Sequence, residues 1–539
     1  MNRRHFLQSA FYSGLIYGTG ALPNLVNEAR AGFEPLQNRL LVNLFLDGGP
    51  DFRHLIVPAF DSNTNSFGYQ YWSHRWRAHD IADNPTAWQQ RWNDDYYPIT
   101  VGGSNWNGQQ NPGGLNTGTT FGIWRHAGWL IDMFRAGHVA MVCNAVGGTN
   151  RAHDLSTLQM HQGNVLSGLN NADRSGWGGR LARSAGGNSI SVTNSPRAFC
   201  FGPVGNAPNY NPNAIDNRDL IAVQNSREMG LNIQDLTENQ IYRPQHRMAR
   251  TLRSYYAGAR TEQVSQAYEK FMDHEFKVRQ FGELIRERLS DLPEPPLIEA
   301  LHRAISIDGQ PVNPDSANDA RRVLRNGYGF GRQIRNLYDV CAANDLLNVR
   351  TVSMDYGGWD SHGDQRREAG NPDLNDPDVY RGIESGFKDI FGGQYAEGVT
   401  PMDNNQLHGG FSALWASLDG IDRDKMVITI AGEFGRQIRD NGDGGTDHGK
   451  GNIMFVIGER VRGGVYGELF PDSEVDKYED ASLRTPDIDP RTSIDPIFAR
   501  VCDWVSPNTG TVVFPRMASG FSGEQPIIES AGMFNNLFI

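Results

Sequence analysis

The sequence predicts an α/β fold, a doubly wound and mostly parallel sheet with a helical insertion. Three observations carry that prediction. Helical spacing, a short apolar strand and an acid-bearing loop follow one another at least four times along the chain, the alternation of a βαβ architecture. The strands are nearly continuous runs of Val, Ile, Leu and Met, as expected where both faces of a sheet are covered. Each strand stops at glycines followed by Asp, Glu or His, and open α/β sheets hold their ligands at the carboxyl ends of the strands.

The first thirty residues stand outside that pattern. Arg3-Arg4 followed by Phe6-Leu7, an apolar run from Phe11 to Ala21, and Ala29-Arg30-Ala31 together read as a twin-arginine signal peptide over residues 1–31. Residues 32–539 are then expected to form a single α/β domain, carried by the twin-arginine translocase to the periplasm or beyond. No later run approaches the roughly 18 apolar residues of a membrane span, so no stable membrane insertion is expected.

The strand that opens at Arg39 has six apolar residues in the seven positions 40–46 and ends at Asp47-Gly48-Gly49. Residues 60–122 break the pattern, with much Asn and Gly. Trp72, Trp76, Trp88, Trp92, Trp106, Trp124 and Trp129, in or just past this segment, are seven of the eleven tryptophans. Aromatic faces among amides suit sugar stacking. A long ordered loop packed by its own aromatics explains the same composition, and buried area is what aromatics mostly supply. Trp124, Ala127, Leu130, Ile131 and Phe134 fall at helical spacing, stopped by Gly137. His138–Ala145 is the next strand. Its turn exposes Thr149, Arg151 and His153 before a helix over Leu155–His161.

Residues 234–296 are charged and helical in spacing, an insertion closed by Leu292-Pro293-Glu294-Pro295-Pro296. A helix through Ile334, Leu337 and Cys341 leads to the strand Leu347–Met354 and the loop carrying Asp360 and His362. A helix through Leu407 to Ile421 leads to the strand Met426–Ala431, a loop with Glu433, Asp447 and His448, and the strand Ile453–Ile457. A final helix covers Ile494–Trp504.

Composition excludes several classes. With 50 basic and 62 acidic residues the formal net charge is −12, which leaves no general basic face for nucleic acid. Four cysteines without short spacing exclude a zinc ribbon and a disulfide scaffold. There is no Gly-x-Ser-x-Gly elbow. The run Gly444–Gly451 imitates a phosphate loop but has Gly where Ser or Thr would hold magnesium, and it precedes a strand instead of following one. No cysteine opens the Cys-x-Pro-x-Arg context in which sulfatases mature formylglycine.

What remains is a convergence. Asp47, Thr149/Arg151/His153, Asp360/His362 and Glu433/Asp447/His448 all follow strands and would meet at one sheet edge. Several carboxylates there require cations. Mixed carboxylate and imidazole donors favour Zn or Mn over Ca. One or two such ions are expected, with an ester of phosphate or sulfate, small or polymer-linked, as substrate, and with Arg151 or Arg436 to clamp its non-bridging oxygens.

The segments FLDGGPD (45–51), GGWDSH (357–362), AGEFGR (431–436), GTDHGKGN (445–452) and RGGVYGE (462–468), with the leader, resemble an exported bacterial family named only as a domain of unknown function. That family is similar to the alkaline phosphatase and sulfatase superfamily. The resemblance implies an alkaline-phosphatase-like fold, with Asp47 as a first-strand metal ligand and Thr149 as a hydroxyl nucleophile standing four residues before His153. It also implies Asp360 with His362 on one ion and His448 as the late ligand. Two departures matter. Asp360 and His362 are two residues apart where the superfamily has four, and Glu433-Phe434 stands where Asp-His is expected. Either Glu433 replaces the aspartate and a ligand is lost, or Asp447-His448 is the pair. A non-catalytic binding or scaffold protein that kept the fold, with polysaccharide as its partner, is the alternative.

Overall fold

The computed structural model describes residues 38–228 apart from 165, 166, 172 and 208, then 277, 278, 281–290, 293–303, 327–363, 365, 366, 382–393, 409–479, 487–515 and 531–539. The twin-arginine segment 1–31 and most of the predicted insertion 234–296 lie outside the described residues.

Strand β1 (Leu40–Asp47) shows why a parallel sheet forms. Leu40, Val42, Leu44 and Leu46 enter one hydrophobic core, and Leu41 and Phe45 enter a second. Successive side chains alternate across a strand, so a run apolar at both parities must be covered on both faces. One core is completed by Ile334 and Leu337, Ile390, and Phe411 and Leu414, from the helices Gly327–Leu347, Ile383–Phe391 and Gly410–Ser417. The other is completed by Trp177 and Leu181 and by Ile497, Phe498 and Val501, from the helices Trp177–Ser184 and Ile494–Val505.

In chain order the next strands are β2 (Ile56–Pro58), β3 (Tyr96–Thr100) and β4 (Thr120–Trp124), which form a small separate sheet in the order β2-β4-β3. Strands β5 (Val139–Val146) and β6 (Asn188–Ser191) return to the main sheet, while β7 (Pro203–Val204) and β8 (Asn211–Ile215) pair with each other. Then come β9 (Leu220–Ala222), β10 (Val349–Gly357) and β11 (Met426–Gly432). A hairpin of β12 (Gly435–Asp440) and β13 (Thr446–Gly449) precedes β14 (Asn452–Ile457), β15 (Gly464–Tyr466) and β16 (Thr492–Ser493). The main sheet runs β15-β5-β14-β11-β1-β10-β6-β9, with β16 also on β5. Every pairing in it is parallel except those of β14 with β11 and β5. The carboxyl ends of β1, β5, β10 and β11 therefore share one edge, as predicted.

Three expectations need correction. The segment between Glu433 and Lys450 is not a loop but contains the β12–β13 hairpin. That hairpin reverses the chain, which is why β14 returns antiparallel. Residues 60–122 are not a long loop either, since they hold the helices Phe67–Arg75 and Pro85–Asp95 and strands β3 and β4. Trp72, Trp88 and Trp124 are buried there, as is Trp129 beyond, so these rings pack the insertion and offer no open stacking face. Trp124 ends β4, and the helix begins only at Gly128.

All four cysteines are free and buried. Among the described residues no helix is long and apolar enough to cross a membrane.

Candidate metal centre

Four segments build the site. Beyond β1 the chain turns through Gly48, whose φ of 122° suits glycine, and a Cβ there would lie 2.5 Å from the Asp360 nitrogen. The turn thus lets the loop after β10 settle against the end of β1. Gly445 plays the same part for the β12–β13 hairpin, where an added Cβ would meet the His362 carbonyl carbon at 2.3 Å. The Thr446 N–H donates to the Ser361 carbonyl at 3.1 Å, which stitches the hairpin to the Asp360 loop. His153 opens the helix His153–Gln162 behind β5, and Gly163 ends that helix in the left-handed region.

Arg436 ties these pieces together. Its buried guanidinium donates to the carbonyls of Gly49 (2.8 Å), Gly48 (2.6 Å), Thr446 (2.8 Å) and Trp359 (3.1 Å), and to Asp360 Oδ1 (2.7 Å). Buried and bonded through all three nitrogens, it holds the architecture and does not face a substrate.

Around Asp360 three imidazoles converge. His448 Nε2 and His362 Nε2 each lie 3.1 Å from Asp360 Oδ1 and 2.9 Å from one another. His153 Nε2 lies 3.4 Å from Asp360 Oδ2. The donor atoms of His153, Asp360 and His448 all fall within 4.8 Å of one another. Tetrahedral zinc with bonds of about 2.0–2.1 Å separates its ligands by about 3.3 Å, so these edges have the size of a coordination shell.

The outer nitrogens decide the protonation of the inner ones. His448 Nδ1 donates to the Arg151 carbonyl at 2.9 Å, and His362 Nδ1 lies 3.1 Å from Asp447 Oδ1. His153 Nδ1 lies 2.8 Å from Glu433 Oε1, an oxygen that already accepts the Gly48 N–H at 2.9 Å. These outer partners are acceptors, which places a proton on each Nδ1, and in the tautomer with that single proton each Nε2 presents a lone pair. Two bare nitrogens and a carboxylate oxygen at such distances repel unless a cation or an extra proton lies among them. His153 Nε2 and Glu433 Oε2 are buried with no hydrogen-bond partner among the described residues. Outer acceptors that orient imidazole ligands are the usual support of a metal shell.

Electrostatics agree with that arrangement. Burial, outweighing the Asp360 and Arg151 contacts, moves His448 below its ordinary value and favours the neutral ring. Burial opposes ionisation of Asp360, but the Arg436 hydrogen bond and the adjoining His448 ring hold its carboxyl at about 2. Burial raises Glu433 against the hydrogen bond from His153. The cluster opens to solvent, with the Asp360 side chain 47% exposed.

The residues singled out in the sequence separate into groups. Asp360, His362, His448 and Asp447 meet, with Asp447 behind His362. Glu433 joins through His153, which sits in the cluster as a donor. Asp47 is elsewhere: its carboxylate accepts from Arg197 Nη2 at 3.2 Å, and Arg197 Nε donates to Asp355 at 2.8 Å. The Thr149 hydroxyl bonds Gln159 at 3.1 Å. The exposed Arg151 side chain donates to the His448 carbonyl at 2.8 Å. Sequence reasoning missed Arg197 and Asp355. Arg197 lies in an ordinary turn, Asn194-Ser195-Pro196-Arg197, and only the tertiary contact reveals it.

Residues 397–484 match a family described as "Protein of unknown function (DUF1501)". The match spans β11 to β15, and so includes Glu433, Arg436, Asp447 and His448 but not His153, Asp360 or His362. Among curated proteins and among solved structures nothing matches.

Proposed function

We propose that this chain is an exported, metal-dependent hydrolase of phosphate or sulfate esters with an alkaline-phosphatase-like fold. One observation carries the reading: His153, His362 and His448 aim bare Nε2 atoms at Asp360 while Glu433, Asp447 and the Arg151 carbonyl fix their outer nitrogens. Imidazoles with a carboxylate, as in the group of His153, Asp360 and His448, fit Zn, and Mn next, better than Mg or Ca. A bound ion would supply Lewis acidity to an ester oxygen and lower the pKa of a nearby hydroxyl.

The chain's own groups take the remaining parts. Arg436 keeps Asp360 ionised and fixed. Thr149, on the turn that leads to His153, provides the attacking hydroxyl after release from Gln159, and the exposed Arg151 holds the outer oxygens of the ester. The open face of the cluster leaves room for a small or polymer-linked substrate. The superfamily resemblance and the leader support the ester class and the export.

The test is elemental analysis of the purified chain after dialysis against Zn or Mn, with hydrolysis of p-nitrophenyl phosphate, bis(p-nitrophenyl) phosphate and p-nitrophenyl sulfate. A retained stoichiometric ion, and turnover lost in Thr149→Ala and His448→Ala, is the expected result. No retained ion, or turnover indifferent to His448→Ala, overturns it. A second reading, a metal-holding protein that turns nothing over, is favoured by the engagement of the Thr149 hydroxyl with Gln159. It predicts the ion without hydrolysis of any of the three esters.

A further inference from the structure

Asp47 and Asp355 end adjacent strands and point to the same side. In the parallel register Phe45 stands opposite Asp355, and Asp47 is two residues beyond Phe45, hence at the same parity. Two carboxylates so placed require a positive charge between them. The chain provides it: Arg197 reaches from its turn with Nη2 to Asp47 (3.2 Å) and Nε to Asp355 (2.8 Å). All three side chains are partly exposed, at 32% for Arg197, 35% for Asp47 and 22% for Asp355. A dissolved cation thus has access to the place that the guanidinium fills. Asp355 is braced further by Gln333, which accepts its N–H at 2.9 Å and donates to its carbonyl at 2.8 Å.

This assembly borders the imidazole cluster. Gly48, the residue after Asp47, donates its N–H to the same Glu433 oxygen that orients His153. Trp359, the residue before Asp360, donates its N–H to the Asp47 carbonyl at 3.3 Å. The two groups are neighbours on one sheet edge, one rich in lone pairs and the other closed by an internal ion pair.

We propose that Arg197 is a permanent cation at Asp47 and Asp355, so that the centre takes one divalent ion, at His153, Asp360, His362 and His448, and no second ion. The inference rests on the metal reading above and narrows it. Charge accounts for the preference. A tethered guanidinium that already makes a hydrogen bond to each carboxylate has lost its translational freedom in folding, and an incoming ion would have to displace it and shed its own water.

The experiment is equilibrium dialysis of the purified chain against Zn2+, with metal content by elemental analysis and folding followed by thermal melting. Wild type should hold one ion per chain, and Asp47→Asn should hold one ion with unchanged affinity. Arg197→Met should uncover the two carboxylates and raise the content to two. The double variant Arg197→Met/Asp47→Asn should return it to one. Two ions in the wild type, one of them lost in Asp47→Asn, overturns this proposal and leaves the imidazole centre standing. Folded Arg197→Met still at one ion overturns it equally. A wild type that holds no ion overturns both readings. If Arg197→Met does not fold, Asp47→Asn decides alone, because loss of the ion there places Asp47 in the metal shell.

Discussion

Two regions of this molecule are made from the same residue types and have opposite electrostatics. One is the exposed cluster of His153, His362 and His448 around Asp360. The other lies beneath it, where Asp51, His54, His79, Arg75, Arg91 and Glu384 are all buried. In the buried region every carboxylate has its guanidinium. Asp51 pairs with Arg75 and accepts from Gln365 Nε2 at 2.7 Å, and Glu384 pairs with Arg91, with Arg366 at 3.3 Å and with His54 Nε2 at 2.9 Å. In the exposed cluster lone pairs outnumber donors. In the first arrangement the charges are balanced within the chain, whereas the second, on the reading proposed above, is completed by a cation. A group of His and acids therefore says little until its counter-charges are counted.

Gln365 joins the two. Its amide nitrogen donates to Asp51 and to His54 Nδ1 (3.3 Å), while its carbonyl oxygen accepts from Ser361 (3.2 Å) and Thr446 (2.9 Å), each one residue before a histidine or aspartate of the cluster. The paired region thus serves as the rigid floor of the unpaired one.

The sharpest way to break the contrast is Glu384→Ala. It would leave Arg91 and Arg366 facing a buried gap, and removing one partner of a buried pair costs about 3–5 kcal/mol. Urea unfolding should show that loss directly, with or without metal.

Acid should act on the same region. Burial, only partly offset by Glu384, moves His54 below its ordinary 6.5, and burial beside other positive groups takes His79 well below it. Burial opposes ionisation of Asp51 and Glu384, but the surrounding guanidiniums bring both below their ordinary values of 3.8 and 4.5. For all four groups the unfolded chain binds the proton more readily, so stability rises with pH. The histidine share is full above 6.5 and falls away below it, and the carboxylate share is lost as pH falls through 4.5 and 3.8 towards the folded values. Melting temperature should be level from pH 8 to about 6.5 and fall from there to pH 4. A maximum near pH 5 would contradict the assignment.

On the exposed side, Asp447→Asn should weaken zinc binding by about 10–100-fold, the cost of losing an acceptor that orients an imidazole ligand. Competition with a chromophoric chelator measures it, and the melting curve of the metal-free chain should not move. The smallest effect closes the comparison. His362→Ala is expected to change the stability of the metal-free chain by no more than about 0.5 kcal/mol, as for a surface position, while removing a ligand. A large loss there would mean that the imidazoles hold the fold together and are not a waiting shell.

Much of this was legible in the sequence because strands buried on both faces leave an unmistakable apolar run, and glycine-acid stops mark their ends. Those signals are local, and they placed β1, β5, β10 and β11, the common edge, and Asp360, His362, Asp447 and His448 near one another. The sequence alone also set the shortage of basic charge and the absence of the nucleophile elbow. Partners across the fold left no such trace. Whether Asp47 joins the imidazoles or an arginine 150 positions away was decided only when Arg197 came to rest between β1 and β10. Whether Arg436 faces a substrate or the backbone was likewise settled by four carbonyls and Asp360, supplied by three separate segments. Spacing along a strand fixes which face a side chain takes. The counter-charge it meets there depends on long-range contact, and that choice separates the buried, self-balanced network from the open centre above it.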